Sequence, residues 1–326
     1  MNVYDLQNTP QILEPALKSG GEGTVYPLTQ RPDLVVKIYH EHLRVEKQRE
    51  DKINAQIELI FDNQSRLKGL PMAWPLISVF DEQKRWIGYA MKKVNGKTMS
   101  IFRNPKLVRK HFPGLTRTRL IEYLINMLTT AEALHRQGIY MGDINLDNFL
   151  IDPNSPTVSF IDCDSYQVVS NGRSYPCPVG QDSMIPPEHQ GKKLSSVVRN
   201  EDSDIFSLTV ICFMLLMSGR HPYEHIGGES TTKNIANGHF PYGQSIRPGV
   251  DGAIPPGYWY AWWSHLSYNL KSAFMTTFTE GANEPRKRVR LGELKKLLSQ
   301  YKWSIENGHL VNDLWPKEAK QSKKTV

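Results

Sequence analysis

The sequence predicts an α+β chain of two lobes, a small antiparallel sheet followed by a larger, mainly helical half. Three observations carry that expectation. The chain has 326 residues, more than the roughly 250–300 over which a single hydrophobic core keeps growing. Up to about Val94 the apolar residues fall in short β-type runs, and beyond Asn95 they recur at helical spacing over longer stretches. Hydrophobic residues make up 39% of the chain and charged residues 22%, with 7 Trp, 14 Tyr and 11 Phe, which leaves apolar surface enough for a packed core, unlike a disordered composition.

Taken in order, a turn around Ser19–Gly23 separates the first strands from Thr24-Val25-Tyr26, and Leu34–Tyr39 follows as a nearly continuous apolar strand. A helix is expected between roughly Leu43 and Arg66, where Ile53, Ile57 and Ile60 recur at helical spacing among charged and amidic residues. Strands Leu76–Phe80 and Trp86–Val94, joined by the polar turn Asp81–Lys84, complete a first lobe over residues 1–94. In the second lobe, over residues 95–300, Leu120, Leu124, Met127, Ala131 and Leu134 mark a long amphipathic helix, and Asp204–Met217 a nearly all-apolar one. Between them lie two short strands, Phe149–Ile151 and Val158–Ile161, around a turn at Asp152-Pro153-Asn154. Residues 224–260, rich in Gly, Pro, His and aromatics, read as a long irregular insertion, and residues 301–326 as a C-terminal extension or tail.

Several function classes drop out. The three cysteines, Cys163, Cys177 and Cys212, form no C-x-x-C pair, so neither a disulfide framework nor a structural zinc is expected, and a reducing cytosol is the default. The longest apolar run, Leu208–Met217, is about ten residues against the roughly twenty of a membrane helix, so no membrane partner is expected. Met1–Pro10 shows no basic stretch followed by an apolar one, hence no secretory leader. Net charge is +7, with basic clusters at Arg286–Arg290 and at Lys317, Lys320, Lys323 and Lys324. These can meet nucleic acid, but a solvated basic face is the simpler reading.

Five signals bear chemistry. Gly20-Gly21-Glu22-Gly23 is a glycine turn between strands, where missing side chains let backbone N–H groups approach a phosphate. Lys37 lies inside Val35-Val36-Lys37-Ile38-Tyr39, where an ammonium is costly to bury unless an anion meets it. Its expected carboxylate partner is Glu50, in phase with Ile53, Ile57 and Ile60; Glu46 shares the phase one turn further out, and Glu58 is offset. Gly142–Ile151 and Phe160–Asp164 supply Asp143, Asn148 and Asp162, spaced as a proton acceptor and two oxygen ligands suited to Mg2+. Finally, Pro186-Pro187-Glu188 precedes the apolar helix, and a buried pair between Glu188 and Arg286 is expected to anchor a long segment to it.

In this order the signals resemble the protein kinase family, from about Leu17 to Leu298. The resemblance implies a two-lobed protein kinase-like fold with ATP and Mg2+ in the cleft and a protein substrate. It implies Lys37 on the α/β-phosphates with Glu50 as helix partner, Asp143 as catalytic base, and Asn148 and Asp162 on the metal. Gly20, Gly21 and Gly23 would approach the phosphates, and Val25 and Val35 would also belong to the nucleotide site. Met91 would be the gatekeeper, and Lys92 to Val94 the hinge that touches adenine through backbone atoms. The wording resembles a bacterial branch of Ser/Thr kinases. Departures from the pattern are Lys18 for the first glycine, Met141-Gly142 for His-Arg before the catalytic Asp, Asn145 for a phosphate-touching lysine, Cys163-Asp164 for Phe-Gly, and Thr209 for a glycine in the apolar helix. Without the arginine, a phosphate on the activation segment loses its usual partner. Asp164 reads either as an extra metal ligand or as electrostatic interference. The expected function is therefore ATP-dependent phosphorylation of a protein hydroxyl, with Lys37, Asp143 and Asn145 in the catalytic set. A nucleotide-binding scaffold or a small-molecule phosphotransferase stands as the alternative.

Overall fold

Leu34–Tyr39 and Trp86–Lys92 are the two central strands of the N-terminal sheet, and every residue of both except Lys92 is buried. The computed structural model describes residues 2–62, 66–243, 254 and 258–317. Within them the sheet comprises β1 (Asn2–Tyr4), β2 (Pro10–Ile12), β3 (Lys18–Ser19), β4 (Gly23–Pro27), β5 (Leu34–Tyr39), β6 (Pro75–Phe80) and β7 (Trp86–Lys92), in the order β2-β1-β6-β7-β5-β4-β3, antiparallel throughout. The continuous apolar pattern of β5 follows from burial on both faces. Val36 and Ile38 pack under Val3, Leu13 and Leu28, while Val35 and Tyr39 pack with Ile53, Tyr89 and Met91. The β1–β2 hairpin was not legible in the sequence, because three-residue strands are too short to show alternation.

A single turn of helix, α1 (Glu41–Arg44), precedes α2 (Lys47–Phe61), which is shorter than the Leu43–Arg66 span expected; residues 63–65 lie outside those described. Beyond β8 (Lys97–Thr98), the C-terminal lobe holds α3 (Pro105–His111), α4 (Arg117–His135), the β9 (Phe149–Ile151) and β10 (Val158–Phe160) pair, and the β11 (Val168–Ser170) and β12 (Arg173–Tyr175) hairpin. Next comes α5 (Glu201–Leu216), opened by a reciprocal cap between Asn200 and Ser203 and buried from Ser203 to its end. A helix apolar all round belongs in the middle of a core, and α4, α8 (Tyr268–Phe278) and α10 (Leu291–Glu306) surround it or one another.

Three expectations fail in this lobe. The stretch 224–260 contains α6 (Thr231–Ala236), capped by Ser230, and the start of α7 (Trp259–His265); residues 244–253 and 255–257 lie outside those described. The boundary expected at residue 300 falls inside α10, whose Tyr301 and Ile305 join the core together with Leu314. Lys320, Lys323 and Lys324 lie outside the described residues. The partner of Glu188 is Arg288, not Arg286: its guanidinium donates to both carboxylate oxygens at 2.7 and 2.6 Å. Arg286 is exposed two residues earlier, because the short helical turn Pro285–Lys287 after α9 (Glu280–Asn283) points residue 288, not 286, inward.

Candidate active site

The site is assembled on one face of β5 and β7 and on the loops below it. In the antiparallel register Lys37 lies opposite Tyr89, and Val35 opposite Met91. Facing residues share a side, so the lysine and the gatekeeper candidate both face the cleft. Val25, Val94 and Ile161 pack with this group and make apolar walls of the kind a purine ring needs. Lys92 is exposed at the end of β7, and the chain continues with the Lys93 N–H donating to the Asp33 carbonyl.

The glycine turn is pinned at its base. Gly20 N–H donates to the Gly23 carbonyl, His40 N–H to the Glu22 carbonyl, and the His40 ring contacts the Gly20 carbonyl at 2.8 Å. Gly23 is forced by the fold, since a Cβ there would meet the Ile38 carbonyl oxygen at 2.3 Å. At Gly21 a Cβ would meet nothing of the protein within 4 Å. Bare backbone facing open space is what a phosphate can fill.

Lys37 is almost fully enclosed, and its partners are carboxylates of loops. Its ammonium lies 2.7 Å from Asp164, 3.7 Å from Asp162 and 3.7 Å from Glu22. Burial alone would lower its pKa, but these three anions raise it. Glu50 is not among them: it pairs with Lys47 at 2.9 Å on the outside of α2. The helical stripe through Ile53 admits either Arg49 or Glu50, and the helix turns its Arg49, Lys52 and Gln56 edge inward. Arg49 reaches Glu22 at 3.3 Å. Lys52 donates to the Ser165 and Pro176 carbonyls at 2.8 and 2.9 Å, and burial brings its pKa down to about 8. Gln56 donates to the Cys163 carbonyl at 2.8 Å. These contacts were not foreseen, although a stripe bearing Arg49 and Gln56 was visible in the pattern.

Below the sheet, Asp143 is held by two amides. Asn145 donates to its Oδ1 at 3.2 Å, and Asn148 to its Oδ2 at 3.2 Å and to its carbonyl at 2.9 Å. Burial raises the Asp143 pKa against the pull of these hydrogen bonds. Asn145 is itself buried and accepts from the Asp147 N–H, so it braces the loop and Asp143. Asp162 ends the β10 segment in the left-handed region, φ 56° and ψ 35°, with a side chain 46% exposed. Its partial desolvation and the nearby Asp164 raise its pKa against Lys37. Gly142 also has φ +68°, and a Cβ there would meet Cys177 Sγ at 2.8 Å and Arg199 Nε at 3.1 Å. An arginine has no room at that position. Asp204, at the start of α5, accepts the Met141 and Gly142 N–H groups at 2.7 and 3.0 Å and contacts His135 at 3.1 Å, fixing the loop to the core.

The donor set suits a hard cation. With its amide nitrogen given to Asp143, Asn148 offers its carbonyl oxygen, and Asp162 offers a half-exposed carboxylate. Among the described residues no group of three or more His, Cys, Asp or Glu could hold a metal alone. A cation here would thus share its shell with water and phosphate oxygens, as Mg2+ does.

A family model for the protein kinase domain matches residues 14–294. The chain belongs to the protein kinase family. It is 30% identical over 302 residues to protein kinase YegI of Escherichia coli (strain K12), covering 89% of this chain and 45% of that protein. It is also 32% identical over 117 residues to a Dictyostelium discoideum protein described as "probable serine/threonine-protein kinase irlD", covering 35% of this chain and 7% of that one. The chain thus spans about half the length of the Escherichia coli relatives it matches, 45% and 47%. No helix among the described residues is long and apolar enough to cross a membrane.

Proposed function

We propose that this kinase-family chain is an active Mg2+- and ATP-dependent protein kinase that transfers the γ-phosphoryl group to a protein hydroxyl, serine or threonine in preference to tyrosine. The observation that carries the reading is the convergence of Lys37, Asp143, Asn148 and Asp162 on one cleft between an apolar-walled sheet and a braced loop. In this reading Gly20–Gly23 cover the phosphates with backbone N–H groups, Lys37 pairs with them, and Asn148 and Asp162 hold Mg2+, which when bound neutralises charge on the transferring group. Val25, Val35, Met91 and Val94 enclose the base. Asp143 orients the attacking hydroxyl and takes its proton, and its two amide partners keep the carboxylate in one rotamer before substrate arrives.

The Ser/Thr preference rests on the names of the Dictyostelium relatives. Self-phosphorylation has one exposed candidate acceptor at Ser174 on β12. A cytoplasmic setting fits the three free, buried cysteines, as a reducing compartment would keep them. The deciding experiment incubates the chain with labelled ATP and Mg2+, with and without a generic basic protein. Label transfer by the native chain, lost in Asp143→Ala and without Mg2+, supports the reading. No transfer by folded native chain, with nucleotide still bound, replaces it by a nucleotide-binding scaffold.

A further inference from the structure

We propose that Asp164 positions Lys37 for nucleotide, taking the place of a helix carboxylate, so that the lysine's placement and the candidate metal ligand Asp162 are set by one short loop. The inference rests on the cleft being the ATP site, and deepens that reading.

Four observations converge on it. First, of the three carboxylates near the Lys37 ammonium, Asp164 is a full ångström closer, 2.7 Å against 3.7 Å, and its side chain is only 2% exposed. A fixed, desolvated pair at hydrogen-bond distance defines geometry in a way that a solvated contact at 3.7 Å does not. Second, the same Oδ2 accepts from the Tyr39 hydroxyl at 2.5 Å. Tyr39 is two residues along β5 from Lys37 and hence on the same face. The carboxylate is therefore tied to the sheet at two points of the strand that carries the lysine.

Third, α2 offers this region cations. A cavity of about 340 Å3 beside the cluster is lined by Glu22, Arg49, Lys52 and Asp164; Glu46, in the loop that caps α2, also lines it but is 53% exposed and paired with Arg49, and the helix residue Glu50 stays outside with Lys47. Charges are reversed relative to a helix-carboxylate arrangement, with anions on loops and cations on the helix. Fourth, α2 grips the backbone on both sides of Asp164: Gln56 holds the Cys163 carbonyl and Lys52 the Ser165 carbonyl. The helix thus positions the aspartate, and the aspartate positions the lysine. A glycine at residue 164 could make neither the ion pair nor the Tyr39 contact.

The test measures Mg·ATP affinity of the full chain by equilibrium binding of a fluorescent ATP analogue, with folding monitored by circular dichroism. Asp164→Asn is expected to weaken binding about tenfold in the native background but less than about twofold in a Lys37→Met background, since a residue acting through the lysine loses its effect when the lysine is gone. Equal loss in both backgrounds, or none in the native one, overturns the proposal. Glu50→Gln is expected to bind as tightly as the native chain. A tenfold loss in that variant overturns the proposal even if Asp164→Asn fails to fold. Failure of the native chain to bind the analogue sinks the ATP-site reading, and the proposal with it.

Discussion

Asp143 has an amide donor on each carboxylate oxygen and sits where burial raises its pKa. Asp143→Asn keeps the size but removes the acceptor, so kcat is expected to fall at least a hundredfold, within the range general bases contribute. Affinity for Mg·ATP should stay within about threefold, because the change acts in the transition state. Single-turnover transfer beside nucleotide titration separates the two. If Asp143 is the base it must be ionised to work, so kcat/KM should decline as pH falls, with a midpoint above the ordinary carboxylate value near 4. A flat profile from pH 7 down to that value contradicts the assignment. Of the site residues, Lys37, Asp143, Asn148 and Asp162 were legible as types at spacings. The Glu50 expectation failed because helical phase marks a face some 100° wide and cannot choose between Arg49 and Glu50, whereas sign complementarity to Lys37 favoured the glutamate. Asp164 was legible only as a missing glycine, since its partner is 127 residues away.

The activation segment is tied down as an element. Lys52 and Gln56 hold its start; Arg173 on β12 pairs with Asp51 of α2 at 3.0 Å, and Asn171 in the turn donates to Glu58. Gln167 exchanges two hydrogen bonds with the Arg199 backbone. None of these contacts needs a phosphate. Replacing Ser165, Ser174 and Ser183 by Ala, and Tyr166 and Tyr175 by Phe, should therefore leave transfer to an added substrate within a few-fold. A loss of about a hundredfold, near 2.7 kcal/mol of barrier, would show that a phosphate is read there after all. The far end of the segment is anchored by Glu188 and Arg288, whose guanidinium is wholly enclosed. Arg288→Met leaves Glu188 without its cation and should cost about 3–5 kcal/mol of unfolding free energy, while Arg286→Met should change it by less than about 0.5 kcal/mol. Urea denaturation of the two variants checks both. Secondary structure in this lobe was legible wherever periodicity ran long, as in α4 and α5. Helix α6, six residues set in a Gly- and His-rich stretch, gave too few turns to register.

Over the whole molecule, three enclosed imidazoles govern behaviour in acid. Burial, with Arg199 beside His189 and Arg117 beside His265, holds His189 and His221 at about 4 and His265 at about 3. Their folded pKa values lie below the unfolded value near 6.5, so the unfolded chain binds more protons in that window. Stability must then fall as pH drops from about 6.5 toward 4, by up to about 1.4 kcal/mol per pH unit for each imidazole. In acid the pair Lys37–Asp164 loses its contribution only below the ordinary carboxylate range. The urea midpoint should therefore be lower at pH 5.0 than at pH 7.5, and equal midpoints would contradict the burial of these rings.

Arg117 opens α4 with no carboxylate beside it among the described residues. It donates instead to the Tyr301 hydroxyl, the Leu216 carbonyl and the Leu314 carbonyl, the last 197 residues further on. During synthesis on the ribosome, the first turn of that helix must therefore wait for almost the whole remaining lobe to be translated. Until α10 and the segment after it emerge, the nascent chain holds an uncovered apolar face on α4, which is the kind of surface chaperones recognise. Cutting this chain near residue 300 would remove under a tenth of its 326 residues and yet take away the clasp that closes its larger lobe.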